Sequence, residues 1–275
     1  MISAPGRRAA RFSCLVLGGL ILASRPAIAQ HVDEGTEEKA SSFLNYFGFQ
    51  DPIYFAFGSG TPPEGGEDLT FAKFQISFRI ELIDFYAGEK SAEQPSRGIN
   101  VAYTQTSIWD LESRSQPFYD SSYKPGAFIL YQDIGDGSLS LFDRFDIEGG
   151  YQHHSNGKDG LDSRHIDILY LKPTFVWRLF DMSYFFFAPK MWAYLSESSL
   201  NEDIADWWGY VDLEFTWRAD FGLQVATFTR PAKEATRFNA QITYPLNKLW
   251  RPLNFYAFVD YWSGPGETIV RYDYC

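Results

Sequence analysis

The chain has 275 residues and a formal charge of −11. It is 45% hydrophobic and 18% aromatic, with 25 Phe, 17 Tyr and 8 Trp. That acidity speaks against a nucleic-acid partner, which would ask for a basic stripe. With only two cysteines, Cys14 and Cys275, a disulfide framework and a cysteine-based zinc site are excluded.

Residues 1–29 read as a secretory signal peptide. Arg7, Arg8 and Arg11 make a basic start, Cys14 to Ala23 a short apolar run, and Ala27-Ile28-Ala29 a small-x-small cleavage site. Its removal takes away four arginines and no acid, moving the charge from −11 to −15 and leaving Cys275 as the one cysteine. No later stretch offers the ~18 uninterrupted apolar residues of a transmembrane helix. Residues 30–42 are acidic and polar and read as a flexible arm. From Phe43 onward the pattern is apolar-polar alternation broken by turn residues, with little helical period.

Eleven strands are predicted: Tyr54–Phe57, Thr70–Ile83, Ile99–Trp109, Ala127–Gln132, Arg144–His153, Arg164–Phe180, Tyr184–Leu195, Trp207–Arg218, Gly222–Phe228, Arg237–Tyr244 and Asn254–Trp262. Several reach the ~10 residues that cross a bilayer as a tilted strand. In the second, Phe71, Lys73, Gln75, Ser77 and Arg79 oppose Ala72, Phe74, Ile76, Phe78 and Ile80. In the sixth, Leu169, Leu171, Phe175 and Trp177 oppose Tyr170, Lys172, Thr174 and Arg178. A soluble sandwich would turn the apolar faces into a core. An outer-membrane barrel would turn them to lipid and the polar faces inward. Strand length, aromatic load, signal peptide and lack of disulfides favour an all-β antiparallel transmembrane barrel.

Gly150-Tyr151-Gln152-His153-His154-Ser155-Asn156-Gly157 sits at the end of the fifth predicted strand. Residues i and i+2 of a strand share a face, so His153 and Ser155 lie together with the apolar Tyr151, Ile147 and Phe145. An imidazole beside a hydroxyl can activate it as a nucleophile, given a third group to fix the ring. Asp167, on the next strand, has the parity of Leu169 and Leu171 and supplies that group from the same outer face. Three polar residues converging on a lipid-facing side are costly without a purpose. Gly157 can bring its backbone N–H to a substrate oxygen, although Asn-Gly is also ordinary hairpin-turn chemistry. Gln105, with the parity of Val101 and Tyr103, also faces lipid. A second copy of the chain in a symmetric dimer, or a place at the membrane interface, would satisfy it.

Tyr151-Gln152-His153-His154-Ser155-Asn156-Gly157, followed by Ser163-Arg164, resembles the signature of the outer-membrane phospholipase A family of Gram-negative bacteria. Tyr103-Thr104-Gln105, Pro117-Phe118, Tyr123-Lys124-Pro125 and Ser263-Gly264-Pro265-Gly266-Glu267 extend the likeness over roughly Phe43 to Tyr274. The resemblance implies a twelve-stranded barrel that hydrolyses acyl esters of phospholipids and lysophospholipids, depends on calcium and acts as a homodimer. By position, Ser155 resembles the nucleophile, His153 the base, Asp167 the third member (an Asn in the best-known pattern) and Gly157 an oxyanion donor. Ser115, Ser163 and the backbone carbonyl of Lys158 match calcium ligands. The family's acidic ligand aligns with Leu200, beside Asn201, Glu202 and Asp203. The family's last strand would follow the segment around Tyr272, and the chain stops at Tyr274-Cys275. The expectation for residues 43–275 is therefore a barrel with its last strand missing. Two rival readings are a non-enzymatic barrel that keeps the motif and a soluble secreted serine esterase.

Overall fold

The computed structural model describes residues 14–22, 46–60, 69–86, 94–112, 114, 118–134, 141–180, 182–270 and 272–273. The arm at 30–42, Ser115 and Cys275 lie outside them. The strands are β1 (Cys14–Leu22), β2 (Phe47–Gly48), β3 (Tyr54–Gly60), β4 (Leu69–Asp84), β5 (Arg97–Asp110), β6 (Phe118–Tyr131) and β7 (Arg144–Ser155). Then come β8 (His165–Leu179), β9 (Ser183–Glu197), a short helix α1 (Ile204–Trp208), β10 (Val211–Ala219), β11 (Gln224–Arg230), β12 (Arg237–Pro245) and β13 (Phe255–Ser263).

From β3 to β13 every strand pairs antiparallel with the next, an up-and-down meander of eleven strands. These correspond to the eleven predicted ones. β3 and β13 do not pair with each other, so the eleven-stranded sheet is not closed on itself. The backbone of β1 lies between them, antiparallel to both. This is the apolar run that the sequence assigns to a signal peptide, and its amides and carbonyls satisfy edges that lipid would leave unpaired at several kcal/mol per group.

Side chains divide as a barrel requires. Phe57, Ile76, Ile129, Leu169, Leu171 and Ile242 are exposed on the outside, whereas Lys73 points inward to Asp260 and Glu267 at 3.0 and 3.1 Å. Lys172 meets Glu214 at 2.8 Å, and Arg230 holds Asp212 through two bonds of 2.7 Å. A sandwich would have reversed this arrangement. The interior keeps a cavity of about 290 Å³.

Besides β1 and β2, which are strands the sequence did not predict, two elements depart from prediction. β6 begins at Phe118, not Ala127. Pro125 lacks an N–H, and the ladder to β7 pairs Tyr123 with Ser155 and then resumes at Gly126 and Gln152, while the β5 side pairs Pro125 with Tyr103 without a break. Trp207 and Trp208 belong to α1, and Gly209, at φ 58°, turns the chain into β10. Alternation in Trp207–Arg218 does not reveal that break.

Meander topology puts the β7–β8, β9–β10 and β11–β12 connections and the segment after β13 at one mouth of the barrel. There Ile204 and Trp208 of α1, with Ile269 and Tyr272, pack into a core with Ile166, Ile168 and Trp192. Gly266, at φ 79°, lies against the Trp208 indole so closely that a Cβ would overlap its nitrogen.

Candidate active site

β7 and β8 bring the candidate residues together by register. His153 stands directly opposite Asp167, and Ser155 opposite His165. His153 Nδ1 donates to Asp167 Oδ1 at 2.8 Å, with the two side chains 32% and 19% exposed, so the pair sits at a surface rather than in a core. With Nδ1 engaged, Nε2 is the nitrogen left for Ser155. Among the described residues, no hydrogen bond joins the Ser155 hydroxyl to His153. Catalytic hydrogen bonds are often long in a resting enzyme and tighten around substrate.

Asp167 has two further donors that sequence reasoning missed. The Tyr151 hydroxyl donates to Oδ1, and Ser196 Oγ donates to Oδ2 at 2.5 Å. Tyr151 sits two residues before His153 on the same face, where its ring reads as apolar from the sequence alone. The signal available was this parity with Asp167. Ser196 comes from β9, opposite Asp167, a pairing that no local pattern reveals. Three donors around one carboxylate hold a charge at a lipid-facing surface where it would otherwise be costly.

The turn after β7 is built by Asn156. It is buried; its Nδ2 donates to the Asp162 carbonyl at 2.6 Å, and its Oδ1 accepts the Arg164 N–H at 3.0 Å. Gly157 follows at φ 67°, and a Cβ there would come within 2.7 Å of the Tyr123 ring. Sterics and backbone conformation thus both call for glycine. The Gly157 amide donates no hydrogen bond among the described residues and is free to meet a substrate oxygen. His165 lies beside the pair, its ring 6.0 Å from that of His153.

Of the expected calcium ligands, Ser115 lies outside the described residues. Lys158 is exposed and Ser163 half-buried, both in the connection that Asn156 pins. Arg164 caps the carbonyls of Leu161 and Ser163, each at 3.0 Å, and Asn156 takes that of Asp162. The Lys158 carbonyl and the Ser163 hydroxyl accept nothing among the described residues. Unclaimed oxygens of this kind fit a hard cation. No group of three or more His, Cys, Asp or Glu among the described residues is placed to hold a metal, so any site here rests on hydroxyl and carbonyl oxygens. Asn201 is fully buried and donates to the His165 carbonyl at 3.2 Å. Asp203 accepts the Tyr272 hydroxyl. Both residues are therefore engaged in covering the mouth. Gln105 satisfies itself within its own strand, accepting from Tyr103 at 2.9 Å and donating to Ser107 at 3.2 Å.

Residues 50–275 match the family model for phospholipase A1. The chain belongs to the phospholipase A1 family. It is 28% identical over 214 residues to the phospholipase A1 of Proteus vulgaris, covering 74% of this chain and 65% of that protein. It therefore spans somewhat less than two thirds of that relative's length. Among solved structures, the Salmonella typhi outer membrane phospholipase dimer with bound calcium superposes with a TM-score of 0.60 at 22% identity, over 74% of each chain. Escherichia coli outer membrane phospholipase A superposes with a TM-score of 0.59 at 20% identity, over 96% of this chain and 84% of that one. The phospholipase A barrel is thus the fold of this chain. Fitted with outward apolar and inward polar faces, it is an outer-membrane architecture.

Proposed function

We propose that this chain hydrolyses acyl esters of phospholipids and lysophospholipids in the outer membrane of a Gram-negative bacterium, by a calcium-dependent Ser-His-Asp mechanism on the lipid-facing side of the barrel. The observation that carries this reading is the 2.8 Å bond between His153 and Asp167 on the outward face, on the strand that carries Ser155, in a chain of the phospholipase A1 family.

His153 Nε2 removes the proton from Ser155 Oγ as that oxygen attacks the ester carbonyl. Asp167 holds the ring by Nδ1 and stabilises its charge once protonated. The Gly157 amide donates to the carbonyl oxygen as negative charge gathers there. The intermediate collapses, the C–O bond to the glycerol backbone breaks, and His153 returns its proton to the departing lysophospholipid oxygen. Water, deprotonated by His153, then cleaves the acyl-Ser155 ester and releases the fatty acid. The outward placement lets an acyl chain remain among lipid tails while its ester reaches Ser155. Ser115, Ser163 and the Lys158 carbonyl would hold calcium, which supplies positive charge to stabilise the developing oxyanion. The solved Salmonella typhi relative is a dimer with bound calcium, which supports a homodimer as the working form.

The test is fatty-acid release from phospholipid in detergent micelles by refolded protein, with calcium and then with chelator, for the parent and Ser155→Ala. Calcium-dependent release that Ser155→Ala abolishes is the expected result. A folded parent that releases nothing would overturn the reading in favour of a non-enzymatic barrel.

A further inference from the structure

On the inner side of the same strand lies a group of nitrogens that hydrolysis does not use. Alternation turns His154 inward as His153 turns out. His154 is buried, and its Nε2 has no hydrogen-bond partner among the described residues. Its ring lies 5.4 Å from that of Trp208, whose Nε1 is likewise buried and unpartnered. Arg230 stacks on Trp208 at 4.7 Å; two of its nitrogens hold Asp212, and Nη1 is left over. Arg237 is the direct cross-strand neighbour of Arg230, and its Nε is buried without a partner. Lys124, whose register places it beside His154, forms no ion pair or hydrogen bond among the described residues. All five residues line the central cavity.

The neighbouring carboxylates are committed elsewhere. Asp212 serves Arg230, and Asp260 and Glu267 serve Lys73. Glu148 accepts from Tyr170 and Gln50. Asp51 accepts from Thr104 at 2.6 Å and faces Lys124 from beyond ion-pair distance. Two arginines directly opposite on paired strands repel, and this pair has one carboxylate between them. Buried donors left over are costly unless something accepts from them.

We propose that the barrel lumen holds a binding site for a small multivalent oxyanion of the phosphate type, formed by Lys124, His154, Trp208, Arg230 and Arg237. A tetrahedral oxyanion offers several acceptors at once to guanidinium, ammonium and indole donors converging from different strands. The cavity has room for it. The site is separated from Ser155 by the barrel wall, and it stands or falls independently of the hydrolytic reading.

The test is heat unfolding of the refolded protein in a phosphate-free detergent, titrated with inorganic phosphate and, at matched ionic strength, with chloride. Phosphate should raise the midpoint saturably by about 5 °C, with chloride ineffective. The double variant Lys124→Gln/Arg237→Gln should lose that gain, and Lys248→Gln, at the other end of the barrel, should keep it. In phosphate-free buffer the double variant should unfold no lower than the parent, because it removes cations that lack a counter-ion. Glycerol phosphate in place of inorganic phosphate separates the sources: an equal shift assigns the site to headgroup phosphoesters, and a shift with the inorganic ion alone assigns it to free phosphate. Equal stabilisation of the parent by chloride, an undiminished phosphate effect in the double variant, or early unfolding of that variant without phosphate would each overturn the proposal.

Discussion

Replacing Asp167 by Asn probes the reasoning about the third catalytic member most sharply. In a triad whose carboxylate is held by fixed N–H donors, an amide forces the wrong histidine tautomer and costs ~10⁴-fold. Here the other two donors are hydroxyls, those of Tyr151 and Ser196, and a hydroxyl can turn to accept. The amide oxygen introduced by Asp167→Asn would still accept from His153 and Tyr151, and the new NH₂ would donate to Ser196. What is lost is the charge facing the imidazolium. At ~4 Å between charge centres and an effective dielectric of ~20, that is ~4 kcal/mol. The two side chains are 32% and 19% exposed, and solvent screening reduces the figure to ~1.5 kcal/mol, or about tenfold in rate. Asp167→Ala removes the acceptor altogether and should cost ~10³-fold. The assay is initial fatty-acid release at saturating micellar phospholipid with calcium, on protein whose fold is verified by heat-modifiable gel migration. Asp167→Asn as slow as Asp167→Ala, within twofold, would refute the argument that turning hydroxyls rescue the amide.

Three other outcomes are expected. Gly157→Ala places a Cβ against Tyr123 at a left-handed φ and should lower hydrolysis at least tenfold while costing ~1–2 kcal/mol locally, seen as faster protease nicking after Ser155; an unchanged rate would remove Gly157 from the site. Asn156→Ala releases both the Asp162 carbonyl and the Arg164 amide, costing ~2 kcal/mol in the connection, and should raise the calcium concentration needed for half-maximal activity; an unchanged calcium response would detach this turn from the cation. Lys73→Met strands Asp260, whose side chain is 1% exposed, at a cost of ~3–5 kcal/mol. Thermal unfolding in detergent should fall by ~10 °C and recover in part in Lys73→Met/Asp260→Asn.

The alternation of Phe71–Ile80 and Leu169–Arg178 determined by itself which residues share a face, because side-chain direction in a strand follows from a period of two; the structure decided that the apolar face is the outer one. The same rule put His153, Ser155 and Asp167 on one outer face. The sequence could not place Ser196 on Asp167 or turn the Tyr151 hydroxyl onto it, because those contacts depend on register between strands. The predicted strand starts at Ala127, just after Pro125 and Gly126, yet pairing on the β5 side carries β6 through them, with the missing N–H falling on the β7 side. Trp207 alternates like a strand residue, yet α1 forms because Ile204 and Trp208 find a core with Ile269 and Tyr272 at the barrel mouth. The crowding of Lys124, His154, Arg230 and Arg237 was equally hidden. Each is an ordinary inward-facing residue on its own strand, and only the curvature of the sheet brings four separate strands round to one point in the lumen.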